Sequence, residues 1–225
     1  MKTSRTRAIV LRRTNYGEAD RILQLLTPEG KRSVMARGVR REKSKLAGGI
    51  ELFAICDVVI TKGKGDLGIL TSARLVQFYR HIMEDYDTMQ FAYEVVKQVS
   101  KASDAMDEPD WYDVLAEVLM ALDSKSVSRQ LVETWFYLRY AGLLGYDLSL
   151  ASDIEGLSLQ PNQKYSYDVS EKGLRAAQRG ELSSDHIKFL RLVSVKPLKI
   201  LAQIGGIDDI MLECWSVARQ HAAIY

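Results

Sequence analysis

Up to about residue 80 the apolar positions come in short runs or alternate with polar ones, and turn residues separate the runs. Alternation of period two marks a strand with one buried face. Five segments read this way: "TRAIVLRRT", "DRILQLLT", "KRSVMARG", "IELFAICDVVIT" and "LGILTSARL". "PEGK" (Pro28 to Lys31) lies between the second and third, and "KGKGD" (Lys62 to Asp66) between the last two. Proline and glycine at these points suit tight turns. Five short strands with one long connection, Val39 to Gly49, predict a small Greek-key barrel of the OB type. An SH3-like barrel fits the count almost as well.

Beyond Arg80 the period changes. In "PDWYDVLAEVLMALDS" Val114, Leu115, Val118, Leu119 and Leu122 recur at helical spacing, with Pro109 suited to the first turn. "SRQLVETWFYLRYAGLLG" continues the pattern: Leu131, Trp135 and Leu138 form one stripe, Val132, Phe136 and Tyr140 the next, and Gly145 a stop. Further helices are expected at 81–102, 171–179, 184–194 and 207–222. The polar stretch Tyr146 to Val169 has no clear period and is expected to be an irregular insertion. The fold class is therefore α+β: a barrel domain over residues 1–80, then an all-α domain over 81–225 interrupted near 146–169.

Charge sharpens this division. The net charge is only +2, but residues 1–80 hold 17 Lys and Arg against 7 Asp and Glu, and residues 81–225 hold 14 against 22. A barrel with ten excess positive charges is the electrostatic footprint of a polyanion binder, and the acidic remainder would repel one. The two cysteines, Cys56 and Cys214, are too few for a disulfide framework or an all-cysteine metal site and point to a reducing compartment. The apolar run Ala8–Leu11 is too short for a signal peptide or a membrane span, so a cytoplasmic protein with no membrane contact is expected.

Few parts for catalysis are present, and no enzyme is expected. His81, His186 and His221 lie far apart with no partner at ligand spacing. "GKGDLG" from Gly63 lacks the Lys-Ser/Thr end of a phosphate-cradling loop and reads as a hairpin turn. Glu84 with Asp85, and Asp208 with Asp209, fall at helix starts, where they complement the macrodipole. Neither cofactor nor metal is called for.

The basic residues, by contrast, cluster on predicted neighbours. Arg12 and Arg13 end the first strand, Arg21 opens the second, and Lys31 with Arg32 opens the third. "ARGVRREKSK" then sets Arg37, Arg40, Arg41, Lys43 and Lys45 in the long connection. Residues 1–77 contain only Tyr16 and Phe53 as aromatics, which limits base stacking. Affinity would come from phosphate contacts, tolerate sequence, and fall by ~10³ between low and moderate salt if about six contacts form. An OB-fold RNA binder, a protein-only adaptor with an acidic partner, and a nuclease using carboxylates of the basic region are the rival readings.

The run "AIVLRRTNYGEADRILQLLTPEGKRSVMARGVRREKSKLAGGIELFAICDVVI" resembles the RecO recombination-mediator family in the order strand, "YGEADR", turn, strand, "ARGVRR" and "LF" strand. "FYLRYAGLLGYDL" (Phe136 to Leu148) is similar to that family's helix ending in "LGY". The likeness covers most of the chain, most closely to about residue 80. It implies an OB-fold followed by a helical domain, binding of single- and double-stranded DNA, and annealing of complementary strands. It also implies contact with the acidic C-terminal tail of single-strand-binding protein, and action with RecR to load RecA. Arg37, Gly38, Arg40 and Arg41 match the family's basic loop; Arg12, Tyr16, Asp20 and Arg21 match its first two strands. Asp20 and Glu18 read better as structural, fixing the turn or pairing with Arg21. An acidic tail ending in an apolar residue needs a cation beside a groove, for which Arg129, Arg139, Lys196 and Lys199 are candidates. Many members carry two Cys-x-x-Cys pairs after the "LGY" helix; "LSLASDIEGLSLQPNQKYSYDVSEKG" has no cysteine, so zinc is not expected there.

Overall fold

In the computed structural model the described residues are 3–63, 65–105 and 110–223. Five strands come first: β1 (Thr3–Tyr16), β2 (Asp20–Thr27), β3 (Gly30–Ala36), β4 (Ala54–Thr61) and β5 (Gly68–Phe78). They close a barrel in the order β1-β2-β3-β5-β4, antiparallel except where β3 meets β5. Alternation sends Ala8, Val10, Leu23, Leu25, Val34 and Ala36 inward, where Cys56, Val58 and Leu70 complete the core. A bulge between Val10 and Arg12 shifts the phase of β1, so that Arg13, opposite Leu23, lies on the inward side at the barrel mouth.

Strand β4 starts later than the pattern suggests. Ala47–Gly49 form a 3-10 turn and Phe53 has a φ of 55°, so Ile50–Phe53 is a corner and not part of the strand. Ile50 and Phe53 are apolar because the corner is buried, not because it is extended.

Helices α1 (Tyr86–Ala105) and α2 (Asp110–Ser124) follow a short 3-10 segment, Arg80–Glu84. Lys64, Pro109 and the chain ends lie outside the described residues. On α1, Ala92, Val95, Val96, Val99 and Ala102 are buried; on α2, Trp111, Leu115, Val118, Leu119 and Leu122 are. Helix α1 packs against β1 and β3. Compactness therefore groups the barrel with both helices: the chain divides into Met1–Asp123 and Ser124–Tyr225, although strand gives way to helix at residue 80.

The second unit contains α3 (Arg129–Leu143), β6 (Tyr165–Asp168), β7 (Gly173–Ala176), α4 (Ser184–Val195), the short α5 (Leu198–Leu201) and α6 (Asp208–Ala222). Ser128 caps α3 by accepting the Leu131 amide (3.3 Å), and Gly145, at φ 84°, ends it. Residues 131–138 of α3 are all buried, as its two apolar stripes require.

The helix expected at 171–179 is absent; within that segment Gly173–Ala176 form β7, paired with β6 from Tyr165–Ala176 to Asp168–Gly173. The Asp168 carboxylate accepts the Ser170 and Glu171 amides and the Ser170 hydroxyl, and Lys172 turns the chain at φ 56°. A local carboxylate turn has outcompeted weak helix propensity. These bonds hold the Asp168 carboxyl well below the usual carboxylate range, the Ser170 hydroxyl contributing most.

The insertion is an ordered lobe. Tyr165 is buried at its centre, with its hydroxyl accepting the Gln160 amide (2.8 Å), whereas Leu157 is exposed. Arg191 of α4 donates twice to the Leu150 carbonyl. His221 of α6 bonds the Tyr146 carbonyl through Nε2 (2.8 Å) and the Tyr167 hydroxyl through Nδ1 (2.9 Å). Among the described residues no group of three or more His, Cys, Asp or Glu could hold a metal ion. No helix among them is long and apolar enough to cross a membrane.

Candidate nucleic-acid interface

One end of the barrel gathers the end of β1, the start of β2 and the loop leaving β3. The loop is built by its own hydrogen bonds. Gly38 takes a φ of 62°, a left-handed conformation that a side chain would strain. The Arg41 amide then donates to the Gly38 carbonyl (3.1 Å), and the Ser44 amide to the Arg41 carbonyl (3.0 Å). Val39, between the arginines, is buried in the barrel core and anchors the loop from below.

Three bonds tie this loop to the β1–β2 turn. The Gly38 amide donates to Asp20 Oδ1 (2.7 Å), the Arg40 amide to the Ala19 carbonyl (2.9 Å), and the Arg40 guanidinium to the Gly17 carbonyl (3.3 Å). The Asp20 side chain thus stitches two connections together and leaves Arg21 to bond Asn15 Oδ1 (3.1 Å).

The expected cations fall into three groups. Arg12, Arg37, Arg41, Lys43 and Lys45 are exposed and make no ion pair among the described residues. Arg40 is exposed as well, and Tyr16 offers an exposed ring at this end, 55% accessible. Arg13 and Arg21 lie on the inward phase at the mouth, Arg13 paired with Glu51 (2.9 Å).

Lys31 is different and leaves the set. Its side chain is only 10% exposed, and Nζ donates to the Ser100 carbonyl (2.9 Å), the Ser100 hydroxyl (3.1 Å) and Asp104 Oδ1 (2.8 Å). All three partners are on α1, so this lysine fastens the helix to β3. Its neighbour Arg32 is exposed. Arg32 and Lys62 line a cleft of about 840 Å³ at the other end of the barrel, with Ser4, Ser33, Thr61 and Asp66.

Sequence reading misses one further cationic group. Register places Arg7 opposite Asp57 and Asp57 opposite Arg74 on the outer face of β1, β4 and β5. Asp57 pairs with Arg74 (2.7 Å) and more distantly with Arg7 (3.9 Å). The Arg74 hydrogen bond, with Arg74, Arg5 and Arg7 nearby, holds the Asp57 carboxyl below its ordinary range. On these strands one carboxylate thus lies among three exposed arginines. The alternation of Arg5 and Arg7 is visible in the sequence; the approach of Arg74 is not.

In the second unit, Arg129 pairs with Glu133 (3.2 Å), which also accepts the Trp215 indole. Arg139 stacks over Trp135 at 5.5 Å from the ring centroid, and the Trp135 indole donates to the Lys196 carbonyl (2.8 Å). Trp135 therefore draws Arg139 toward the α4–α5 corner, where exposed Lys196 and Lys199 flank exposed Val195 and Ile200. Arg129, ten residues before Arg139 on α3, is about 15 Å away along the axis and belongs to a different contact.

An OB-type barrel with a cationic end, followed by a helical module, defines a protein of the α+β class. More narrowly, the chain belongs to the family described as Recombination protein O. Residues 1–79 match the model of its N-terminal part and residues 83–220 that of its C-terminal part. The chain is 33% identical to the DNA repair protein RecO of Dehalococcoides mccartyi strain 195 over 144 residues, covering 63% of this chain and 56% of that protein. It is 32% identical to the DNA repair protein RecO of Rubrobacter xylanophilus over 147 residues, 65% of this chain and 59% of that one. The corresponding protein of Bifidobacterium longum is 33% identical over 150 residues, 65% and 62%. These alignments span about three fifths of the length of the curated relatives.

Proposed function

We propose that this protein is a non-enzymatic, cytoplasmic mediator of DNA repair and recombination. The barrel binds single- and double-stranded DNA through phosphate contacts and brings complementary strands together, since neutralising two backbones at once reduces their repulsion. The relatives' name as DNA repair proteins supports the repair role. The observation that carries the reading is the basic end of the barrel: a bonded loop and turn presenting Arg12, Arg37, Arg40, Arg41, Lys43 and Lys45 with no carboxylate partner among the described residues.

One exposed tyrosine at this end offers little for reading bases, so the contact is sequence-tolerant and leaves base edges available for pairing. The second unit supplies protein contacts. Val195 and Ile200, flanked by Lys196 and Lys199 with Arg139 nearby, suit the acidic, apolar-ended tail of single-strand-binding protein. RecR and, through it, RecA complete the set of partners in this reading.

The test replaces Arg37, Arg40 and Arg41 together by Ala and follows the affinity for a single-stranded oligonucleotide against salt. Removing three phosphate-binding side chains reduces the slope of log affinity on log salt by about 2. An unchanged slope removes the loop from the binding surface.

A further inference from the structure

Asp20 is an anion set within the most basic part of the molecule. On charge alone it weakens any phosphate contact made there, and its removal should tighten binding. Its geometry points the other way. Asp20 opens β2 opposite Tyr16, and its Oδ1 accepts the Gly38 amide at 2.7 Å. This is the shortest of the three bonds between the β1–β2 turn and the basic loop, and the one that uses a side chain from the turn.

That bond meets the loop at its most demanding residue. Gly38 stands at φ 62° directly after Arg37, and the backbone conformation here decides where the chain goes next. Its carbonyl receives the Arg41 amide, and Arg41's own side chain crosses Gly38 closely enough that an added Cβ would touch it at 3.6 Å. Without the carboxylate, the Gly38 amide would lose the acceptor that fixes it against β2.

We infer that Asp20 is a positioning residue for phosphate binding: its carboxylate clamps the Gly38 amide and so fixes the course of the loop that carries Arg37, Arg40 and Arg41. The inference rests on the nucleic-acid reading above and adds to it an acidic residue that strengthens the grip on an anion. The geometric effect exceeds the electrostatic one because a loop held in one conformation presents its cations without first losing conformational entropy.

Two substitutions separate the effects, since both remove the same charge. Asp20→Asn keeps an oxygen at the acceptor position and can still take the Gly38 amide; Asp20→Ala cannot. The bond from the Arg40 amide to the Ala19 carbonyl and the burial of Val39 are untouched in both, so the barrel folds. Affinity for a single-stranded oligonucleotide is measured across a salt series, with thermal melting and amide exchange at Gly38 as controls on the fold and the clamp. The inference expects Asp20→Asn to bind at least as tightly as the unaltered protein. It expects Asp20→Ala to bind several-fold more weakly, with faster Gly38 exchange and a salt slope smaller by about 0.7 for every phosphate no longer gripped. Equal or tighter binding by Asp20→Ala overturns the inference and leaves the nucleic-acid reading standing. If the unaltered protein fails to bind at low salt, that reading falls and the inference with it.

Discussion

Lys31 and Arg41 sit ten residues apart in the same basic stretch, yet they do opposite work. The lysine ammonium has three partners on α1 and almost no exposure; the Arg41 side chain stands in solvent with no ion pair among the described residues. Lys31→Ala is therefore expected to lower stability by about 1–3 kcal/mol in a denaturant titration, since it removes the hydrogen bonds by which a largely buried ammonium fastens α1 to β3. It should leave the salt slope of DNA binding unchanged. For Arg41→Ala the reverse holds: stability within about 0.5 kcal/mol of the original and a shallower slope. Nothing in the local sequence distinguishes the two, because the partners of Lys31 lie some seventy positions downstream.

At the level of elements, strands with alternating patterns and helices with long apolar stripes were legible in the chain, and both for the same reason: each has one face to bury. Legibility failed where burial has no period. Ile50 to Phe53 reads as strand because it is apolar, but it folds as a buried corner. Residues 171–179 read as helix until the Asp168 turn and Lys172 fold them into a hairpin. The clasp on that lobe was equally hidden, since His221 joins Tyr146 and Tyr167 from the far end of the chain. Burial pushes the His221 pKa below its ordinary 6.5, outweighing the upward pull of the Tyr146 carbonyl, with Lys172 adding to the depression. The unfolded chain then takes up a proton near 6.5 that the folded chain resists, so stability is full above that pH and declines as pH falls toward the lower folded value. Thermal melts between about pH 7 and pH 5 should show this decline, and His221→Gln should flatten it. An identical pH profile in the variant would show that the clasp does not contribute.

For the whole molecule, the division of charge is the organising fact. Ten excess positive charges within the first 80 residues and eight excess negative ones beyond make the chain attractive to a polyanion at one part and repellent at the other. The basic cluster was legible as a set, because the arginines crowd one connection and the strand ends beside it. Its construction was not: the Asp20 clamp, the removal of Lys31 and the Arg5, Arg7 and Arg74 group all depend on strand register. In the proposed function, phosphate contacts made by this basic barrel dominate DNA binding. This is tested most directly by titrating the unaltered protein with dT and dA oligonucleotides of equal length from low to moderate salt. Nearly equal affinities for the two sequences are expected, with a weakening of about 10³ across the series. A flat salt response, or a strong preference for one base that persists at every salt concentration, would contradict it.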